Sequence, residues 1–264
     1  MEFQVEPASD VTRTDDAVAS RGASDAGHQP GSSAWSPDHP EIEALLQRSR
    51  HIDMRSIYYG SNACYLVLLE DAEAGRSLAV YKPARGEYPL WDFPQGSLHR
   101  RETATYRLDA LLGWGIVPPT VIGSGRFGRG SVQLFIEESG DGEVPVSALR
   151  HMILLDWITN NADRKPDHLL VSADGRLWGI DHGLTFHAQP KLRTVLWHFA
   201  GEPMNEKETS DLVKLRKALG SPRGARVKEL IEPVEANALS RRISTLLNGQ
   251  VFPDPQRKAM PYRW

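Results

Sequence analysis

Cys64 is the chain's only cysteine, so an intrachain disulfide and a zinc site built on several thiolates are both excluded. Long apolar runs are also missing, and nothing approaches the roughly 18 residues of a membrane-crossing helix. The opening MEFQVEPASDVTRTDD is acidic and lacks the apolar segment of a secretory signal. Neither sign of charge dominates: 31 Lys and Arg stand against 34 Asp and Glu, a net charge of −3. A broad basic face for a polyphosphate chain is therefore not expected, and neither is a nucleic-acid partner. No lipidation motif stands at either terminus and no tight basic cluster occurs, so stable membrane anchoring is not expected either. These absences suit a cytoplasmic protein. At 264 residues the chain can bury one large core or two smaller ones.

Residues 1–38 have no apolar period and carry seven acidic residues against Arg13 and Arg21, which predicts a disordered acidic tail. From Glu41 the pattern changes. EIEALLQRSR reads as a short helix, and RSIYYG and ACYLVLLE read as strands meeting at Gly60, Ser61 and Asn62. SLAVYK is a further strand, ended by Pro83, and ARGEYPLWDFPQGS is a loop leading to a helix from His99 to Leu112. PPTVIGSGRFGRGSVQLFIEES reads as a hairpin. The second half is more helical. VSALRHMILLDWITNN is apolar on nearly every side, RTVLWHFA follows the charged stretch below, and NEKETSDLVKLRKALG and PVEANALSRRISTLLNG read as helices. Two lobes are predicted, 39–140 rich in strands and 141–264 rich in helices, with a cleft between them.

GSGRFG, residues 123–128, is a literal dinucleotide-binding pattern. That chemistry needs the glycines between a strand and a helix, so that phosphate meets the helix N-terminus. Here the next segment, SVQLFIEE, has strand character, so a hairpin turn is expected and a Rossmann fold is not.

The most informative segment is NNADRKPDHLLVSADGRLWGIDHG, residues 160–183. It holds four carboxylates, three basic side chains and two histidines around two short apolar runs. If the runs pair as a hairpin about Ala173, Asp174 and Gly175, Asp163 and Asp181 can lie near one end. Two carboxylates so placed can divide the work, one accepting a proton and the other binding Mg²⁺. Lys165 could then steady a transferring phosphoryl group. Taken singly, each of these aspartates reads rather as a solvated turn residue or a helix cap.

Their order carries more. D-R-K-P-D-H at 163–168 resembles the protein-kinase catalytic loop, with His168 where Asn would stand, and I-D-H-G at 180–183 resembles its metal-binding motif. Lys82 and Glu102 follow the order of a kinase's phosphate-binding lysine and its partner glutamate. More specifically, LDWITNNADRKPDHLL, GIDHGLTF and VYKPARGEYP resemble blocks of the phosphatidylinositol 3-/4-kinase superfamily, most closely type II phosphatidylinositol 4-kinases and their bacterial branch. The likeness covers about residues 58–200.

It implies an α+β, two-lobed protein-kinase-like fold and an ATP-dependent kinase using Mg²⁺ or Mn²⁺. By position, Lys82 would contact the α/β-phosphates, Glu102 would orient Lys82, Asp163 would be the catalytic base and Asp181 the main metal ligand. Gly60, Ser61 and Asn62 would form the phosphate loop, and the adenine would meet backbone groups near Glu137, Glu138 and Ser139. His168 departs from the motif's Asn, and as a metal ligand an imidazole suits Mn²⁺ better than Mg²⁺. The Cys-rich insert of the eukaryotic lipid kinases is missing, so the hydroxyl acceptor could be a protein, a small polyol or an inositol lipid. Two other functions fit the same residues: a nucleotide-binding pseudokinase acting as a regulatory module, and an interaction protein that binds no nucleotide.

Overall fold

A computed structural model of the chain describes residues 35–57, 61–140 and 143–254. Five strands form one antiparallel sheet in the order β1-β2-β3-β5-β4. They are β1 (Arg50–Ile57), β2 (Cys64–Asp71), β3 (Gly75–Pro83), β4 (Thr120–Gly125) and β5 (Gly128–Leu134). Helix α1 (Ile42–Arg48) lays Ile42, Leu45 and Leu46 against β2, β4 and β5. Strand alternation places Ser77, Ala79 and Tyr81 of β3 in the core, which turns Lys82 to the opposite face.

The glycine-rich pattern spans β4 and a two-residue turn, with Gly125 facing Gly128 and Gly123 facing Gly130. It is a hairpin, as its flanking strands required. A Cβ on Gly130 would lie 2.3 Å from the Lys82 carbonyl oxygen, so only glycine lets β5 approach β3 there.

Helix α2 (Leu98–Leu112) connects β3 to β4 and ends on Gly113, whose φ of +69° suits a left-handed cap. It is buried on several sides because it packs on β4 and β5 and also on two helices of the second half. That second half comprises α3 (Val146–Thr159), a 3₁₀ turn (Pro166–His168), the β6 (Leu169–Val171) and β7 (Leu177–Gly179) hairpin, α4 (Glu206–Ala218), α5 (Pro222–Lys228) and α6 (Pro233–Gly249). The hairpin turns at Gly175, with φ of +76°. Alternation sends Leu169, Val171 and Leu177 into the helical core, while Leu170 and Trp178 pack against the core of the sheet. The hairpin therefore seals one lobe to the other.

Several expectations change. The folded body includes Trp35 and Asp38, ahead of the expected start at His39. Trp35 is only 4% exposed in the sheet's core and its indole donates to the Ala74 carbonyl at 2.8 Å, while Asp38 pairs with Arg176 at 2.9 Å. An apolar count over 38 residues misses one large anchored ring. Residues 1–34, the rest of the expected tail, lie outside the described residues. Strand β1 starts at Arg50 rather than Arg55, and residues 58–60 are not described. RTVLWHFA forms turns and coil, and α5 arises within a basic stretch that showed no separate helix. Its start is explained by Ser221, which accepts from the Gly224 amide, and by Pro222 in the first turn.

Candidate active site

The two lobes enclose a cleft of about 470 Å³. Lys82 projects into it from β3 and donates to Glu102 Oε1 of α2 at 2.6 Å and to Asp181 Oδ1 at 2.9 Å. Glu102 Oε2 accepts the backbone N–H of His182 at 3.0 Å, so α2 grips the residue after Asp181 as well. Asp181 has φ of +57°, a left-handed conformation that a non-glycine residue adopts at a cost and that neighbours must hold. Burial alone would lower the Lys82 ammonium, but Asp181 and Glu102 together raise it above the ordinary lysine value. Burial would likewise raise Asp181, and Lys82 instead holds it well below the carboxylate range. Burial wins at Glu102, which sits higher than usual despite Lys82. One ammonium shared by two carboxylates leaves the more deeply enclosed one harder to ionise.

The residues of the loop after α3 are placed by a buried polar network below the cleft. Asp156, near the end of α3, accepts from Arg164 at 2.9 Å and from Asn161 Nδ2 at 2.9 Å. Asn161 Oδ1 in turn accepts the Asp163 backbone N–H at 3.0 Å. Arg164 also donates to the carbonyls of His168, 3.2 Å, and Ile180, 3.0 Å, and its NH2 lies 2.7 Å from His182 Nε2. A guanidinium can only donate, so Nε2 is the accepting nitrogen of that ring. This one arginine ties the ends of the segment on which Asp163, His168 and Asp181 stand. Asp163 Oδ2 lies 2.8 Å from Lys165 Nζ, and His168 Nε2 lies 3.4 Å from Asp181 Oδ2. Burial lowers the His168 pKa, which favours the neutral ring that can ligate metal.

Ser61, Asn62, Lys82, Glu102, Asp163, Lys165, His168 and Asp181 thus all line one cleft. Asn62 uses its side-chain oxygen on the Tyr88 amide, 2.7 Å away, and so holds the segment after β3. Gly60 lies outside the described residues. Glu137, Glu138 and Ser139 follow β5 and are exposed, and they are not among the residues lining the cleft. Ser139 directs both its N–H and its hydroxyl to the Val171 carbonyl, which commits that amide to bracing the hairpin.

Three charged groups had no assigned role in the sequence: Arg101, Arg164 and the pair of Glu87 with His99. No linear signal marks them: Arg101 stands between Arg100 and Glu102, and Arg164 between Asp163 and Lys165. Arg101 is 1% exposed, pairs with Glu235 of α6 at 2.8 Å, donates to the Thr185 carbonyl and stacks over Phe93.

The donor set suits a divalent cation: a carboxylate and a neutral imidazole face each other beside a lysine that can meet phosphate. Among the described residues no three His, Cys, Asp or Glu side chains are grouped to hold a metal alone. The remaining ligands would come from nucleotide phosphate and water.

A strand-rich lobe, a helical lobe and a lysine–glutamate pair facing two loop aspartates define a two-lobed, protein-kinase-like fold. Solved structures agree on that fold: the Golgi casein kinase with Mn/ADP bound (TM-score 0.56, 16% identity, 79% of this chain and 74% of that one) and hydra Fam20 with sugar (TM-score 0.50, 13% identity, 79% and 86%). The family model "Phosphatidylinositol 3- and 4-kinase" matches residues 124–238. Protein Rv2133c of Mycobacterium tuberculosis is 37% identical over 237 residues, covering 74% of this chain and 84% of that protein. Phosphatidylinositol 4-kinase gamma 4 of rice is 30% identical over 166 residues, 47% of this chain and 29% of that protein. The chain belongs to the phosphatidylinositol 3-/4-kinase superfamily.

Proposed function

We propose that the protein is an ATP-dependent phosphotransferase that moves the γ-phosphoryl group to a hydroxyl acceptor. The observation that carries this reading is the joining of Lys82, Glu102 and Asp181, residues 99 positions apart at the extremes, beside Asp163 in one cleft. Lys82 would meet the nucleotide's phosphates, with Glu102 fixing its direction. Asp181, with His168, would hold Mg²⁺ or Mn²⁺, which neutralises phosphate charge during transfer. Asp163 would accept the proton of the acceptor hydroxyl, and Lys165 would balance charge beside it. Ser61 and Asn62 would cover the phosphates, and the adenine would lie towards the interlobe segment, with Glu137 and Glu138 as the backbone candidates.

ATP turnover by the purified chain, with Mg²⁺ and with Mn²⁺, tests the reading. Asp163→Asn should leave nucleotide binding nearly unchanged and cut turnover by roughly 10²–10⁴-fold, the usual contribution of a general base. A fully active Asp163→Asn would sink the assignment. Nucleotide binding without turnover under any condition would mark the chain as a pseudokinase instead.

A further inference from the structure

The segment between β3 and α2, residues 84–97, overhangs one side of the cleft. It is tied to the sheet by the Ala63 N–H donating to the Gly86 carbonyl, 2.9 Å, and to the helical lobe by Asp92 pairing with Lys191, 2.6 Å. Between these ties, Glu87 Oε1 accepts the backbone N–H of His99 at 3.1 Å and faces His99 Nδ1 at 3.0 Å. Burial alone would raise Glu87, but the hydrogen bonds from the His99 side chain and from the amides of His99 and Leu98 bring it below the usual glutamate value. An ionised carboxylate can only accept, so Nδ1 carries the hydrogen of that contact. Both side chains are more than nine-tenths buried and both residues line the cleft. Yet Glu87 Oε2 and His99 Nε2 have no hydrogen-bond partner in the protein. Two buried polar atoms without a partner are costly, and here they belong to neighbouring side chains.

The charge around them narrows the ligand. Among the described residues the cleft is lined by the carboxylates of Glu87, Glu102, Asp163, Asp167 and Asp181, against Lys82 and Lys165. Both lysines are already paired with those carboxylates. A nucleoside triphosphate carrying two divalent cations is close to neutral, so the carboxylates lining the cleft still outnumber its lysines. An acceptor entering this cleft meets a negative field and two buried polar atoms without partners. Tyr88, Leu90, Leu98 and Leu184 give the same region apolar walls.

We propose that Glu87 and His99 form an acceptor-recognition subsite for a cationic nitrogen next to the phosphorylated hydroxyl. An amino alcohol, or a serine flanked by basic residues in a peptide, supplies that chemistry; an anionic lipid head group does not. Glu87 Oε2 takes an N–H of the cation and His99 Nε2 takes a second N–H or O–H, while Asp163 faces the hydroxyl. This inference rests on the phosphotransferase reading for the hydroxyl's fate, but the charge selection can be measured without it.

The full chain is titrated, without nucleotide, with glucosamine, glucose and glucose 6-phosphate, and with two peptides carrying one serine between arginines or between glutamates. The cationic member of at least one set should bind at least about tenfold more tightly than its neutral or anionic counterparts, as one charge-assisted hydrogen bond allows. Raised salt should erode that preference in the unaltered protein. Glu87→Gln should reduce it to about threefold or less, with an unchanged circular dichroism spectrum showing that the fold is kept. Which set responds identifies the source. Equal responses within both sets, or preference for glucose 6-phosphate or the glutamate peptide, overturn the subsite. A cationic preference with no transfer from ATP to any probe would keep the subsite and remove the phosphotransferase reading; transfer to the anionic probes would do the reverse.

Discussion

Lys82, Asp181 and His168 form a chain of contacts in which each member's charge depends on the next. Removing Lys82 leaves two carboxylates without their ammonium, and removing Asp181 takes away the hard ligand for a cation. Both Lys82→Ala and Asp181→Asn should therefore weaken binding of a non-hydrolysable ATP analogue with metal, as isothermal titration would show. His168 sets a finer property. Its Nε2 faces Asp181 at 3.4 Å, so a shared cation would have one hard oxygen ligand and one borderline nitrogen ligand. Replacing the imidazole by an amide oxygen in His168→Asn should move the Mn²⁺ preference towards Mg²⁺. Identical Mn²⁺ to Mg²⁺ affinity ratios in the two proteins would leave His168 a structural role only.

Helix α2 is held from both lobes. Arg100 donates to the Glu229 carbonyl, Arg107 to the Arg226 carbonyl, and Arg101 to Glu235, so the helix bearing Glu102 is fastened to α5, α6 and the turn before α6. Arg101→Met leaves Glu235 buried without its cation and should cost roughly 3–5 kcal/mol in urea unfolding. The double change with Glu235→Gln should recover part of that loss. At the other end of α2, Asp109 Oδ2 accepts the amides of Ile116 and Val117 at 2.9 and 3.0 Å. Burial nonetheless pushes its carboxyl up to about 7. A carboxyl raised in the folded state contributes stability that is full below the unfolded value near ~4 and is lost as pH rises through the folded value. Melting temperature should fall across that window by an amount that Asp109→Asn largely removes. The full effect is bounded at roughly 4 kcal/mol.

For the molecule as a whole, the sheet's core is closed by groups from outside the sheet: α1, Trp178 from the hairpin and Trp35 from before α1. A chain beginning at His39 loses the Trp35 ring and its hydrogen bond to Ala74. Compared with one beginning just before Trp35, it should be destabilised by roughly 3–5 kcal/mol, the range for emptying an aromatic core site. Equal melting temperatures would show that α1 and Trp178 close the core without Trp35. No helix of the described residues is long and apolar enough to cross a membrane.

What the sequence determined by itself is local. SLAVYK marked a strand ended by Pro83, the run of apolar residues in α3 marked a buried helix, and glycines at 123, 125 and 128 between strand-like flanks marked a hairpin. The order Lys82, Glu102, Asp163, Asp181 and the motifs around them also showed the superfamily. These signals have periods or spacings of a few residues, which a linear reading can see. Tertiary structure decided which charges meet. Lys82 and Asp181, 99 positions apart, are joined only because the hairpin and the sheet close on each other. Trp35 counts as core only because Ala74 and α1 surround its ring, and Ser139 turns from the cleft because Val171 offers it a carbonyl. Glu87 and His99 look like ordinary surface residues in the sequence. Folding buries both and leaves a polar atom of each without a partner, a state set by distance and dielectric rather than by residue order.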